Sequence, residues 1–264
     1  MRIPYYQINA FAARTFGGNP AGVCPLERWL PDETLQRIAA ENNLSETAFF
    51  TRNEGFFPLR WFTPTVEVEL CGHATLASAH ALFAELRHRE ESVRFHTKSG
   101  WLSVSKRGDL LELDFPSRPA TPHAAPEALA SALGRAPRAT LKSRDFLAVF
   151  DTAEEVERLA PDMGRLCELD SLGVIATAPG KDSDFVSRFF APRAGVPEDP
   201  VTGSAHCSLI PYWAERLGKT TLFARQISKR GGELYCRLMG TRVGIGGQSI
   251  TYSRGELEIP GEGL

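Results

Sequence analysis

The sequence predicts an α+β protein made of two similar halves, each with β-strands arranged around one apolar helix. Three observations support this prediction. A proline-rich segment divides the chain near its midpoint, motifs of the first half recur in the same order in the second, and each half contains one helix-forming stretch with few charges. Because a helix that is apolar on all sides has to be buried, each half is expected to wrap its strands around that helix.

The proline-rich segment marks the expected boundary between the halves. It carries Pro116, Pro119, Pro122 and Pro126. Proline fixes φ and removes a backbone donor, so this segment is expected to be an extended linker. We therefore expect one domain of residues 1–117 and a second of residues 118–264, and we allow for the last strands to pack back on the first half.

An internal repeat is visible in two pairs of short motifs. RWFTP at residues 60–64 recurs as RFFAP at residues 188–192, an offset of 128 residues. GHA at residues 72–74 recurs as GSA at residues 203–205, an offset of 131 residues. The shared order and nearly constant spacing indicate a duplicated unit. The alternative is two unrelated segments that each run from a strand through a glycine into a helix.

The elements of the first half can be assigned in order. An amphipathic helix is predicted at residues 31–42, because a proline followed by two acidic residues favours a helix start. Residues 72–87 are rich in Ala and Leu and form the predicted buried helix. The remaining predicted strands are β-rich or alternate in polarity, and they lie at residues 45–51, 57–62, 92–96, 101–106 and 110–115.

The second half follows the same plan. Its buried helix is predicted at residues 203–217, with Gly218 as the stop signal and Pro211 as the expected cause of a kink. Residues 127–133 and 153–159 are predicted to be helical. The predicted strands lie at residues 173–177, 184–190, 222–227, 234–238 and 243–246.

The composition argues against several functional classes. The chain has 30 Lys and Arg against 32 Asp and Glu, so its net charge is −2, and a nucleic-acid partner is not expected. Its five cysteines are odd in number and form no CxxC pair, which favours a reducing compartment and argues against a structural metal site. No apolar stretch reaches the roughly 20 residues of a membrane span, and no secretory signal is evident. We therefore expect a cytoplasmic protein without a membrane partner.

Each predicted buried helix begins at a glycine, Gly72 in the first half and Gly203 in the second. A helix start exposes unpaired N–H groups with partial positive charge, and glycine lets a ligand approach them closely. If the two halves point these helix starts at one cleft, they would hold a carboxylate and stabilise a developing enolate. Such a site needs an acid/base group beside it.

Three side chains are candidates for that group, and each has a structural alternative. Glu46 is the only charge in residues 42–50, and a carboxylate with apolar neighbours suits proton transfer. His73 follows Gly72 directly, and Asp199 lies shortly before Gly203. The alternatives are a surface or capping carboxylate for Glu46, a hydrogen-bonded structural role for His73, and a turn residue before a proline for Asp199.

Six motifs together resemble the phenazine-biosynthesis PhzF family. They are FGGNPA at residues 16–21, LSETAF at 44–49, RWFTP at 60–64, CGHAT at 71–75, EDPVTGSA at 198–205 and QISKRGG at 226–232. The resemblance extends over residues 8 to 247. It implies a fold similar to diaminopimelate epimerase, in which two like domains each wrap a mixed β-sheet around a central helix and the active site lies between them. It also implies a homodimer without a metal or an organic cofactor.

The resemblance further implies an activity. The best-understood member of the family isomerises trans-2,3-dihydro-3-hydroxyanthranilate, with a glutamate that moves a proton between ring carbons. Glu46 matches that glutamate, and His73 and Asp199 match residues that hold the substrate and assist the proton transfer. The remaining matches bind the polar groups of the substrate, and they are Asn19, Gly72, Gly203 and Ser204.

Two other functions remain open at the level of the sequence. One is an amino-acid epimerase or racemase, since related epimerases use a pair of cysteines at the two helix starts. Only Cys71 is present here, because the corresponding region around Thr202 has no thiol, and two-thiol racemisation is therefore disfavoured. The other is a non-catalytic protein that binds a small molecule or a partner. The physiological substrate and any place in a phenazine pathway are not determined by the sequence.

Overall fold

A computed structural model describes residues 1–259, and it confirms the predicted α+β class. The chain folds into two compact units. Unit 1 comprises Met1–Asp114 and the segment that begins at Gly246, and unit 2 comprises Phe115–Ile245. The sequence placed the boundary at residue 117 and allowed for the last strands to pack back on the first half. The strand that begins at Ser249 does pair with the first strand of the chain.

The regular elements, in chain order, are eighteen strands and six α-helices within residues 1–259. The strands are β1 (Arg2–Ala10), β2 (Asn19–Leu26), β3 (Glu46–Thr51), β4 (Phe57–Phe62), β5 (Glu67–Val68), β6 (Ser92–Thr97), β7 (Gly100–Arg107), β8 (Leu110–Pro116), β9 (Thr121–Pro122), β10 (Ala139–Lys142), β11 (Phe146–Val149), β12 (Val174–Pro179), β13 (Phe185–Ala191), β14 (Val196–Asp199), β15 (Thr221–Gln226), β16 (Gly232–Met239), β17 (Arg242–Gly247) and β18 (Ser249–Glu258). The helices are α1 (Asp32–Asn42), α2 (Gly72–His80), α3 (Glu127–Leu133), α4 (Ala153–Glu157), α5 (Met163–Glu168) and α6 (Gly203–Leu217).

Unit 1 is a mixed sheet around a central helix. Strand β1 pairs antiparallel with β18 and β2, β2 runs parallel to β3, and β3 pairs antiparallel with β4. Strand β4 runs parallel to β6, which continues into an antiparallel meander through β7 and β8. Every residue of α2 from Gly72 to Ala79 is buried. The prediction of a buried helix surrounded by strands is therefore confirmed for this unit.

Unit 2 repeats the arrangement with the second buried helix. Strands β11 and β12 are parallel, β12 and β13 are antiparallel, and β13 runs parallel to β15. Helix α6 spans the residues that the sequence predicted, and Gly218 ends it in the left-handed conformation with φ 63°. Its Trp213 is buried and donates from Nε1 to Oγ1 of Thr177 at 3.0 Å, so a strand of the sheet holds the helix.

The internal repeat extends to side-chain contacts. In unit 1, Arg60 donates from Nε and Nη2 to the two carboxylate oxygens of Glu67, at 2.7 and 2.8 Å. In unit 2, Arg188 makes the same two bonds to Glu198, at 2.7 and 2.9 Å. Each arginine is the first residue of the repeated motif that the sequence showed at 60–64 and 188–192. Two unrelated segments are not expected to share such an arginine–glutamate pair.

The first buried helix is shorter than predicted. The sequence placed it at residues 72–87, but α2 ends at His80 and continues as a π-helical turn over Ala81–Glu85. The N–H of Leu86 donates to the carbonyl of Ala81 at 2.9 Å, five residues earlier, and Arg87 adopts φ 55°. A left-handed residue cannot continue a right-handed helix, so the chain leaves the helix there.

Eight strands and one helix were not predicted, and they are β1, β2, β5, β9, β10, β11, β14, β18 and α5. No helix among the described residues combines the length and the apolar character that crossing a membrane requires.

Candidate active site

In unit 1, four residues singled out by the sequence lie together at one end of the sheet. Helix α1 ends because Asn43 adopts a left-handed conformation, and the chain then turns into β3, which begins at Glu46. Strand β2 begins at Asn19 and runs parallel to β3, with Ala21 opposite Glu46. Parallel strands start at the same edge of a sheet, so Asn19 and Glu46 are brought to one place. The start of α2 adds Gly72 and His73.

His73 is the centre of this group. Its ring atom Nε2 lies 3.1 Å from Oε2 of Glu46, and its Nδ1 lies 3.1 Å from the Asn19 amide and 3.5 Å from Sγ of Cys71. The side chains of His73 and Glu46 are only 5% and 15% exposed. The Glu46 and His73 atoms are close but not aligned as a hydrogen bond, and Oε2 of Glu46 has no hydrogen-bond partner among residues 1–259. This oxygen is therefore available to accept a proton.

The surroundings of His73 favour its protonated form. Burial alone lowers the pKa of His73, but its interactions with Cys71 and Glu46 raise it by more, and the net result is a pKa well above 6.5. Burial also raises the pKa of the Cys71 thiol to about 11, so Cys71 is neutral at pH 7. The charge that supports a protonated His73 near neutral pH is therefore that of Glu46.

This ion pair predicts a pH dependence of stability. The folded-state pKa of His73 lies above 6.5, the ordinary value, so the pair stabilises the protein fully below pH 6.5 and loses that contribution as the pH rises through the folded pKa. We expect the free energy of unfolding of wild type to fall relative to Glu46→Gln as the pH rises from about 6 to about 9. Urea unfolding of both proteins across this range measures the difference. Parallel pH profiles would contradict the ion pair.

Glu46, Cys71 and His73 are also close enough to be considered as metal ligands, since their ligand atoms lie within 4.8 Å of one another. The carboxylate approaches Nε2 of His73, however, whereas the sulfur approaches Nδ1. One ion cannot bind both ring nitrogens of a histidine, and the raised pKa of Cys71 disfavours the thiolate that a metal prefers. This arrangement suits a proton-transfer group better than a metal site.

In unit 2, Asp199 and the start of α6 form a second polar group. Thr202 is the residue before α6 and donates from Oγ1 to Oδ2 of Asp199 at 2.5 Å. Gln226 holds both residues: its Oε1 accepts from the N–H of Thr202, and its Nε2 donates to the carbonyl of Asp199, each at 2.8 Å. The orientation of Asp199 relative to the helix start is therefore fixed by hydrogen bonds.

Gly203 and Ser204 open α6 in unit 2. No side chain caps this helix, and its first turn contains no acidic residue, so its positive end is left for another group. The hydroxyl of Ser204 accepts a hydrogen bond from Nη2 of Arg144 at 3.0 Å. The structure thus gathers Asp199, Gly203 and Ser204 within unit 2, as it gathers Asn19, Glu46, Gly72 and His73 within unit 1.

The sequence did not single out the roles of Thr202, Gln226 and Arg144. Gln226 ends a strand with alternating burial and is only 1% exposed, and a polar residue on the buried face of an alternating strand was the available signal. Arg144 lies in the turn between β10 and β11, which are both short strands. Nothing in the local pattern of that turn distinguishes it from an ordinary surface arginine.

Comparisons with known proteins identify the family of this chain. The sequence model of the family described as phenazine biosynthesis-like protein matches residues 8–255. The chain belongs to this family. The match covers both units and every residue that the sequence proposed for the site, and it confirms the resemblance to the PhzF family.

Relatives and solved structures extend the comparison. The chain is 52% identical over 259 residues to an uncharacterized isomerase of Pseudomonas aeruginosa, a match that covers 98% of this chain and 100% of that protein. The crystal structure of a PhzF-family phenazine biosynthesis protein from Enterococcus faecalis superposes with a TM-score of 0.96 at 46% identity, covering 98% of this chain and 100% of that one. A hydroxyproline epimerase of Agrobacterium vitis superposes with a TM-score of 0.62 at 12% identity, covering 97% and 92% of the two chains. This last likeness confirms the epimerase-like fold.

Proposed function

We propose that this protein is an isomerase that moves a proton on a small carboxylate-bearing substrate without a metal or organic cofactor. The observation that carries the proposal is the Glu46 carboxylate, which is largely buried, lies against His73 and keeps Oε2 without a hydrogen-bond partner among residues 1–259. A general base needs a basic atom that is both shielded from water and open to a substrate proton. The family and its relatives, one of which is named an isomerase, support this class of reaction.

The proposed reaction has two proton transfers. The Glu46 carboxylate takes a proton from a carbon of the substrate, which leaves an enolate and a neutral carboxylic acid. Glu46 then delivers a proton to a different carbon, after its acid proton has exchanged with solvent, so the base is regenerated and nothing is oxidised or reduced. A positively charged His73 lies beside the Glu46 carboxylate and pairs with it. We therefore assign His73 to supporting the Glu46 base. We assign Asn19 to holding either the ring of His73 or the ligand.

Each unit offers groups that suit the polar groups of a substrate. The uncapped starts of α2 and α6 at Gly72 and Gly203 offer N–H donors to a carboxylate or an enolate oxygen. Asp199, oriented by Thr202 and Gln226, accepts a hydrogen bond from a hydroxyl or amino group. The first compound to test is trans-2,3-dihydro-3-hydroxyanthranilate, which the family resemblance suggests.

An epimerase that uses thiols is the second candidate, and the structure provides an argument against it. The equivalent positions before the two buried helices are Cys71 and Thr202. The pKa of Cys71 is raised to about 11 by burial, which makes its thiolate scarce at neutral pH. The Thr202 hydroxyl donates a hydrogen bond to Asp199, and this residue has no thiol. A non-catalytic binding protein on the same scaffold is the third candidate.

Hydrogen–deuterium exchange at carbon separates the three candidates. The protein is incubated in D₂O with trans-2,3-dihydro-3-hydroxyanthranilate, a panel of cyclic carboxylic acids and a panel of amino acids, and deuterium uptake is followed by mass spectrometry together with ultraviolet absorbance. An isomerase incorporates deuterium into a cyclic acid, retains this activity in Cys71→Ala and loses it in Glu46→Gln. Exchange at the α-carbon of an amino acid that disappears in Cys71→Ala identifies an epimerase. Ligand binding without uptake from any compound identifies a binding protein.

The homodimer and the cytoplasmic location remain predictions. Sedimentation analysis of the purified protein tests the first, and fractionation of cells tests the second.

A further inference from the structure

The π-helical turn that follows α2 borders a cavity in unit 1 that the proposed reaction does not use. The cavity has a volume of about 540 Å³, which is within the range of small-molecule sites. Its apolar lining comes from three strands and from this turn, and the residues are Leu26, Phe50, Phe57, Leu82 and Leu86. All of them except Leu86 are buried. The lining therefore suits the apolar body of a ligand.

The polar side of the same cavity is cationic. Arg52, Arg87 and Arg89 line it, and Glu90 is the one carboxylate in its lining among residues 1–259. All three arginines are exposed, and none of them forms an ion pair within the described part of the chain. The lining therefore carries an excess of positive charge that an anion would neutralise.

His88 forms one wall of the cavity. Its ring packs against the rings of Phe57 and Phe83, with centroid distances of 5.6 and 5.8 Å. Its Nε2 is buried and has no hydrogen-bond partner among the residues that the structure describes. Leaving a buried polar atom unpaired costs free energy, so most such atoms in folded proteins have a partner. An acceptor oxygen of a ligand would supply one when Nε2 carries the ring proton.

Arg87 occupies a position where the backbone favours glycine. Its φ of 55° is left-handed, and helices that end on a left-handed residue usually have glycine there. The internal repeat provides a comparison, since the offset of 131 residues that relates Gly72 to Gly203 also relates Arg87 to Gly218. Gly218 has φ 63° and ends α6. The same backbone turn therefore carries glycine in unit 2 and arginine in unit 1.

No contact within the described residues compensates for an arginine at this turn. A residue with a side chain loses free energy relative to glycine in the left-handed conformation, and Arg87 forms neither an ion pair nor a side-chain hydrogen bond within residues 1–259. Its side chain lines the cavity instead. Strained backbone positions and π-helical turns cluster at functional sites. The turn thus presents a guanidinium to the cavity at a cost in stability.

We propose that this cavity is a second small-molecule site, which binds an organic anion with an apolar body, such as a medium-chain carboxylate. The apolar lining holds the body, and the guanidinium groups of Arg52, Arg87 and Arg89 hold the anionic head. The cavity lies wholly within unit 1 and shares no residue with the group around Glu46. The inference therefore does not depend on the proposed isomerase activity.

Equilibrium binding and thermal unfolding test the proposal together. Isothermal titration compares octanoate with its uncharged analogue octanamide, and wild type should prefer octanoate about tenfold, because exposed guanidinium groups each contribute modestly. Arg87→Gly should weaken octanoate binding about fivefold and raise the melting temperature by about 2 °C, because glycine relieves the strain. Arg52→Gln combined with Arg89→Gln should remove most of the preference and leave octanamide binding unchanged.

Two control variants locate the binding. Arg37→Gln removes an exposed arginine of α1 in the same unit and should keep the preference for octanoate. Glu46→Gln should also keep it, so binding at this cavity is distinguished from binding at the proposed active site. A failed exchange assay and a failed anion site therefore give different results.

Three outcomes overturn the proposal. The first is the absence of a preference for octanoate in wild type, or a preference that survives both Arg87→Gly and the double variant. The second is a melting temperature that falls by several degrees in Arg87→Gly, which would show that this arginine serves the fold. The third is cosedimentation with phosphatidylglycerol vesicles without binding of octanoate, which would indicate a membrane surface as the partner.

Discussion

Glu46→Gln is expected to reduce carbon–hydrogen exchange by about 10³-fold or more while leaving the folded structure intact. Glutamine keeps the size and one oxygen of the side chain but cannot accept a proton at neutral pH. Because the two steps of the proposed reaction both pass through this group, no part of the proton shift survives its loss. The measurement is the initial rate of deuterium uptake into whichever cyclic acid the wild type exchanges.

Two matched variants show whether the loss of exchange is specific to the Glu46 carboxylate. Glu46→Asp keeps the carboxylate but withdraws it by one methylene, so exchange should fall while remaining detectable, because a displaced base still accepts protons. Glu41→Gln removes an exposed carboxylate of the neighbouring helix α1 and should leave the rate unchanged. Equal rates in wild type and Glu46→Gln, with both proteins folded, would remove Glu46 from the mechanism and direct attention to Cys71.

The effect of Glu46→Gln on binding should be small. In the proposed reaction Glu46 acts on the reacting carbon and is not assigned to holding the substrate. A loss of kcat with little change in KM is therefore expected, which is the pattern of a group that acts in the transition state. A large rise in KM alone would instead indicate that Glu46 holds the substrate.

The sequence predicted the helical framework well because its signals are local. Helix α6 begins at Gly203 and ends at Leu217 as predicted, since a glycine opens the apolar stretch and Gly218 closes it. Helix α3 has the predicted bounds for similar reasons. The predicted end of α2 was wrong because a π-helical turn follows it and Arg87 takes φ 55°, and the run of Ala and Leu in the sequence indicates neither feature.

The candidate site was also predicted only in part from the sequence. The start of α2 and the isolated charge of Glu46 were visible in the sequence, and the structure brings them within 3.1 Å of each other through His73. The role of Gln226 could not be predicted, because it holds Asp199 and Thr202 from a strand that follows them by more than twenty residues. Arg144 was missed for the same reason, as its partner Ser204 is sixty residues away in the chain.

The arginine of the second repeat gives the largest expected effect on stability. Arg188→Gln should lower the free energy of unfolding by about 3 kcal/mol, because the Glu198 carboxylate loses its partner in a largely buried setting. The side chains of Arg188 and Glu198 are 13% and 24% exposed. Nη1 of Arg188 also donates to the carbonyl of Leu159 at 2.8 Å and lies 3.2 Å from the carbonyls of Val156 and Glu157. One guanidinium therefore joins β13, β14 and the end of α4.

The equivalent arginine of the first repeat should matter less. Arg60 pairs with Glu67 as Arg188 pairs with Glu198, but Glu67 also accepts from Nζ of Lys98 at 2.5 Å. Arg60→Gln therefore leaves Glu67 with a second cation, whereas Glu198 has no such substitute among residues 1–259. Arg60 also pairs with Asp32 at 2.8 Å, but that carboxylate is exposed. We expect a loss of free energy about half that of Arg188→Gln.

Urea unfolding monitored by tryptophan fluorescence measures these differences, with a double variant to establish the cause. Arg188→Gln combined with Glu198→Gln should recover part of the loss, because it removes the unpaired charge while the carbonyls near Leu159 still lack their donor. Arg225→Gln is the matched control, since its pair with Glu233 is half exposed and should contribute less than about 1 kcal/mol. Equal losses in Arg188→Gln and Arg225→Gln would show that the paired arginine recurs in both halves of the chain without being needed for its stability.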